Sequence, residues 1–182
     1  MLRPVRINEA FNLAIDMLTC LWGGLIAPKL CGDELKTKLA PFPHLISFAS
    51  SVTEDSHLSK DNYFNICAAN DRLKAVANQA CCMVAVFASE SIKNHKDYDK
   101  IRNEISVNFL RHLRNAAAHG NSFNFIDSRS GKLIDPGQVE WRGKIIKKSL
   151  QDKTAFPDFF AQGDFAYLFE DISKLIQKNY IN

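Results

Sequence analysis

The chain has 182 residues, of which 46% are hydrophobic and 13 are Phe, enough apolar material for a full core and too much for a disordered chain. Its net charge of +3 is modest, so attraction to nucleic acid has to come from a local patch and not from the field of the whole molecule. Five cysteines, Cys20, Cys31, Cys67, Cys81 and Cys82, form no C-x-x-C pair; this odd set excludes a secreted disulfide framework and reads as buried, reduced thiols in the cytoplasm.

From Val5 to about Ile26 the apolar residues Ile7, Ala10, Phe11, Ala14, Met17, Leu18 and Leu21 recur at threes and fours, one face of a helix, and Gly23, Gly24 and Pro28 are expected to end it. Phe11 to Leu30 is the most membrane-like stretch. Asp16 interrupts it and the remainder is too short to span a bilayer, so a core helix is expected and a membrane partner is not. Arg3 and Arg6 would suit a signal peptide, but Glu9 and Asp16 break the apolar centre that one needs. A piece from Asp33 to Leu39 is cut off by Pro41 and Pro43, and His44 to Ser50 resumes a short helix. Ser59 is placed to cap a long core helix to about Ser89, through Tyr63, Ile66, Ala69, Leu73, Val76, Ala80, Met83, Val84 and Phe87.

A further helix starts near Asp97 or Asp99 and carries Ile101, Ile105, Phe109, Leu113 and Ala117 at i+4 spacing, with Gly120 where a C-terminal cap belongs. Between Phe123 and Ile146 the period changes to alternation, and Asp135-Pro136-Gly137 and Arg142-Gly143-Lys144 are turn-formers, which predicts a small β-hairpin. A last helix, Asp164 to Tyr180, buries Phe165, Leu168, Phe169, Ile172, Leu175 and Ile176. No repeat, linker or low-complexity tract intervenes. The expected fold is all-α: an antiparallel bundle of four to five helices in one domain, residues 1–182, with a hairpin excursion at about 123–146.

The chemistry concentrates at the end of the helix that stops at Gly120. Asn108, His112, Asn115 and His119 share a polar stripe with Arg111 and Arg114 to one side, and no acidic residue occurs from Ile105 to Ile126, so an anion is expected to meet only positive or neutral groups. The three alanines between Asn115 and His119 either let another helix pack closely or leave a shallow groove. An arginine fork grips a phosphate through two parallel hydrogen bonds, and a histidine exchanges protons near neutral pH. Together they suffice to promote attack of an RNA 2′-hydroxyl on its own phosphodiester, with no metal or other cofactor. The plain structural alternative is a solvated Arg114 and a His119 placed by the helix dipole. His112 and His119 stand about 10.5 Å apart along a helix, too far to share one metal ion. His44, His57 and His95 have no Cys or carboxylate at ligand spacing. In the hairpin region Arg142 and Lys144, with Arg129, Lys132, Lys147 and Lys148, could guide an RNA backbone or be ordinary solvated charges, and Trp141 and Phe125 could stack bases or cover the core.

Arg114-Asn115-Ala116-Ala117-Ala118-His119-Gly120 resembles the motif of the HEPN superfamily, helical bundles of bacterial toxin and defence systems in which Arg is followed after four to six residues by His. The polar residue that commonly follows the Arg in that family is matched by Asn115. The resemblance implies metal-independent RNA cleavage by Arg114, Asn115 and His119 in a site built across a homodimer. The wider resemblance covers the helix order and the tail containing Trp141-Arg142-Gly143-Lys144; Arg111 and His112 lie outside the family pattern and enter from their stripe position, with Arg142 and Lys144, as auxiliary substrate-binding residues. Arg and His five residues apart point about 140° from one another on a helix, which gives a physical reason for a second copy. The resemblance also allows a non-catalytic, nucleotide-binding or protein-interaction module that partners a nucleotidyltransferase-like antitoxin.

Overall fold

The computed structural model describes residues 8–41, 44–48, 56–127 and 129–180. Among them are six helices, α1 (Asn12–Leu39), α2 (Lys60–Ala68), α3 (Asn70–Lys93), α4 (Tyr98–Ile101), α5 (Ile105–Ala118) and α6 (Asp164–Tyr180). Four short strands accompany them: β1 (His44–Phe48), β2 (Ser56–Ser59), β3 (Val139–Trp141) and β4 (Lys144–Ile146). The fold is mostly helical with a small hairpin, as the periodicity indicates. By contact the described residues fall into two compact units, one drawn from Met1–Leu18 and Asn78–Asn182 and the other from Thr19–Ala77.

The first unit holds the apolar core. Phe11 stacks on Phe169 with ring centroids 4.4 Å apart, and a chain of aromatic contacts continues through Phe165, Phe160 and Trp141 to Phe109. Each of these side chains is buried, and burying an aromatic side chain stabilises a fold by about 2–3 kcal/mol. On α6 the residues Phe165, Leu168, Phe169, Ile172 and Ile176 are buried and Leu175 is partly so, which matches the period read from sequence. α5 packs against β3 and α6, and α4 against α6.

Several expected details differ. The helix expected from Asp97 to Gly120 is two, because the chain breaks at 102–104, and Ile105 is left 60% exposed at the start of α5. Its buried face is instead Val107, Phe109, Leu110, Leu113 and Ala116, with Ala117 at the margin. On α3, Ala77, Ala80, Cys81, Val84, Ala85, Ala88 and Ile92 form the buried stripe. Met83 and Phe87, expected in the core, stand on the flank of that stripe and are 47% and 42% exposed. α3 is long and apolar enough to cross a membrane, but half of that stretch is buried inside the protein.

Of the five cysteines, Cys67, Cys81 and Cys82 are buried and Cys20 and Cys31 are exposed, so the expectation of five buried thiols holds for three. Burial pushes the Cys81 thiol up to about 12, with the neighbouring Cys82 adding to the rise, which leaves it protonated and unreactive at neutral pH.

The second unit contains most of α1, β1, β2, α2 and the first turns of α3. α1 passes through Gly23, Gly24 and Pro28, where an end was expected, and its dihedrals break at Cys31 (φ −131°, ψ 29°), three residues after the proline. A proline inside a helix removes one hydrogen bond and crowds the preceding turn, which kinks a helix without having to end it. β1 occupies most of the segment expected as a short helix at His44–Ser50 and pairs antiparallel with β2, His44 opposite Ser59 and Phe48 opposite Ser56. Residues 49–50 of that expectation, like the start of the first helix at Val5, lie outside the described residues. Ser59 ends β2 and does not open one long helix; α2 and α3 are separated at Ala69.

Left-handed turns shape the end of α5 and the tip of the hairpin. After α5, Gly120 (φ 70°) and Asn121 (φ 68°) both adopt this conformation, which is free for glycine and tolerated by asparagine. The Asn121 side chain fastens the turn, because its Nδ2 donates to the Phe156 carbonyl at 2.7 Å and its Oδ1 accepts from the Phe156 amide at 2.8 Å. Between β3 and β4 the two turn residues, Arg142 (φ 47°) and Gly143 (φ 79°), are left-handed as a type I′ hairpin requires. The hairpin proper is therefore confined to 139–146. The described residues of the irregular loop before it, 123–127 and 129–138, have no regular strand, and the Ile134 amide donates to the Phe125 carbonyl at 2.7 Å.

Candidate functional site

Arg114 and His119 emerge from the last turns of α5 toward different neighbours. His119 is the C-cap residue and is exposed, and its Nδ1 lies 3.4 Å from Asn124 Nδ2. Asn124 Oδ1 already accepts from the Ile126 amide at 2.9 Å, which turns its Nδ2 donor toward the imidazole. That contact fits the tautomer whose proton sits on Nε2, so that Nε2 faces outward as a hydrogen-bond donor.

Arg114 turns the other way, to α3. Its Nη2 is 3.3 Å from Glu90 Oε1, its side chain is 33% exposed, and its Nε is buried without a hydrogen-bond partner among the described residues. Glu90 is the residue sequence reasoning missed. The acid-free run from Ile105 to Ile126 is acid-free only along the chain, and the fold supplies a carboxylate from 24 residues away. An anion therefore meets Glu90 as well as the arginine, which corrects the expectation of purely positive or neutral surroundings. Hydrogen bonding to Lys93 holds the Glu90 carboxyl below its ordinary range, with Arg114 contributing, so it is ionised at neutral pH.

Beside these two residues the irregular loop and α5 enclose a cavity of about 180 Å³. Its polar lining is His112, Asn115 and Asn124, and Phe123, Phe125 and Ile134 supply much of its apolar wall. The His112 ring stands edge-on to Phe125 at 6.1 Å. Burial holds the His112 imidazole below its usual range, and the neighbouring Arg111 adds to the effect. Arg111 is exposed and donates from Nη2 to Asn108 Oδ1 at 2.6 Å. The groove left by the three alanines is thus realised in part: Ala116 lines the cavity together with Asn115.

The hairpin cations are engaged elsewhere. Arg142 forms a two-pronged ion pair with Asp171 on α6, from Nε and Nη2, each at 2.9 Å, and its guanidinium stands over the Trp141 and Tyr167 rings. Trp141 Nε1 donates to the same carboxylate at 3.0 Å. Lys144 donates to the Phe159 carbonyl at 3.0 Å and sits 3.3 Å from Asp164. Trp141 is buried and covers the core, whereas Phe125 lines the cavity. Among the described residues no three His, Cys, Asp or Glu side chains gather to hold a metal ion.

A family model described as HEPN pEK499 p136 matches residues 3–177. No curated protein and no solved structure matches the chain.

Proposed function

The chain belongs to the HEPN family, and on that premise we propose that it is an endoribonuclease, a toxin or antiphage effector of the cytoplasm, that cleaves RNA without a metal. The observation that carries this reading is an exposed His119 capping α5, oriented by Asn124, one turn beyond Arg114 and Asn115. The substrate supplies its own nucleophile. The 2′-oxygen bonds to the adjacent phosphorus as the bond from phosphorus to the 5′-oxygen breaks, giving a 2′,3′-cyclic phosphate and a 5′-hydroxyl. One imidazole takes the 2′-hydroxyl proton and a second gives a proton to the departing 5′-oxygen. A single chain offers one such imidazole at the end of α5, so the active form is a homodimer in which His119 of one protomer and the equivalent histidine of its partner divide those roles.

Arg114 stabilises the phosphate charge that grows during attack with guanidinium N–H groups not given to Glu90, and Asn115 orients the reacting groups. Purified protein is expected to cut RNA in the presence of a chelator, and both Arg114→Ala and His119→Ala are expected to remove that cutting. Unchanged cleavage by His119→Ala would refute the assignment.

One observation favours a second reading. Arg114 is already paired with Glu90, which reduces the charge it can offer a phosphate and so favours a binding module that partners a nucleotidyltransferase-like antitoxin. Growth on expression separates the two: a toxic wild type with harmless Arg114→Ala and His119→Ala supports cleavage, and three equally harmless proteins support binding.

A further inference from the structure

The cavity beside Asn115 has a chemistry of its own. It is smaller than the roughly 300–1,000 Å³ of pockets that hold drug-sized molecules, so its about 180 Å³ suits one ring system and not a whole nucleotide. No lysine or arginine lines it, which makes it a poor seat for a phosphate. Its walls are aromatic and aliphatic, yet His112 and Asn115 open into it with side chains that hydrogen-bond to no other described residue. Asn115 is exposed and His112 half-buried, so both keep donors and acceptors open to solvent that an occupant with a matching edge can take over. A flat ring with a polar rim answers this description, and proteins read unstacked RNA bases in this way, by aromatic contact with the face and hydrogen bonds to the edge.

The location ties the cavity to the chemistry. Asn124 lines it and also contacts His119 Nδ1, so an occupant lies one side chain away from the proposed proton-transfer group. We propose that this cavity is a base-binding subsite that receives a single nucleobase of the RNA next to the cleaved phosphate, with Phe125 against the ring and His112 and Asn115 reading its edge. It rests on the nuclease reading for its RNA and adds to it a source of base preference. Ile134 stands at the rim and is half exposed, so a larger side chain there closes the mouth without disturbing the core.

The test uses the four free ribonucleosides as probes, titrated into the full-length protein while the ring signals of His112 and Phe125 are followed by NMR. One nucleoside is expected to bind at least about tenfold more tightly than the weakest of the four. Ile134→Trp should abolish that binding, His112→Ala should weaken it, and His119→Ala should leave it intact. In cleavage of a random-sequence RNA pool, Ile134→Trp and His112→Ala should flatten the base preference beside the cut. Cleavage by wild type with no nucleoside shifting those signals overturns the subsite and leaves the nuclease standing. Nucleoside binding lost in Ile134→Trp, from a protein that cuts nothing, supports the subsite and overturns the nuclease.

Discussion

The end of α5 and the β3–β4 hairpin look alike in sequence, each setting basic side chains beside aromatic ones, but the fold treats them differently. At the hairpin Arg142 and Lys144 each have a carboxylate: Arg142 is locked to Asp171 and Lys144 lies against Asp164, both on α6. At the end of α5, the His119 ring has an asparagine amide as its partner among the described residues, and His112 and Asn115 face an open cavity. A basic residue that the fold has already paired with a carboxylate has less to offer a ligand than one left open. By that measure the hairpin is a clasp that secures α6, and the tip of α5 is the place we propose for the chemistry. Arg114 falls between the two, with one edge on Glu90.

The largest expected effect breaks the comparison if it fails. His119→Ala should lower RNA cleavage by about 10²–10⁴-fold, the usual contribution of a positioned acid or base, while Arg142→Ala should stay within about threefold of wild type in the same single-turnover assay. A reversed order would move the chemistry to the hairpin. The clasp should show itself in stability instead. Asp171→Ala leaves the Trp141 indole and the Arg142 guanidinium without their acceptor and should cost about 1–3 kcal/mol in urea unfolding. Arg142→Ala, at a more exposed position, should cost about 1 kcal/mol or less.

Glu90→Gln sharpens the intermediate case. The Arg114 pair is partly solvated, so stability should fall by no more than about 1 kcal/mol, and RNA, no longer competing with a carboxylate, should bind up to about fivefold tighter by fluorescence anisotropy. A loss of binding would mean that Glu90 holds Arg114 in its working position.

The smallest effects concern pH, and they differ between the two regions. Hydrogen bonds from Arg142 hold the Asp171 carboxyl below its ordinary range. Its contribution is therefore full above about pH 4 and is lost as the pH falls through the lowered value, so the gap in melting temperature between wild type and Asp171→Asn should close on acidification. Burial lowers the His112 imidazole, so the unfolded chain binds more protons than the fold just below about pH 6.5. Stability should decline with falling pH there, and His112→Phe should flatten that slope.

What could be read in the sequence depended on how local its cause was. α6, the turn at Arg142-Gly143 and the placement of Gly120 after α5 come from periodicity and turn chemistry within a few residues. The Arg114 and His119 motif was legible for the same reason. Glu90 was not, because it reaches the site from another helix, and neither was the cavity, whose walls come from α5 and a loop without regular structure. Met83 and Phe87 misled because an apolar residue one position off the buried stripe of α3 keeps the helical period while facing outward. Gly23, Gly24 and Pro28 misled in the opposite sense, since breakers lower helix stability without dictating where a helix ends.

The most direct test of the central claim is mass spectrometry of the RNA ends made in excess chelator. Fragments ending in a 2′,3′-cyclic phosphate from wild type, and none from His119→Ala, are the predicted result. Fragments with 3′-hydroxyl ends, or the same cyclic ends from the His119 variant, would contradict it.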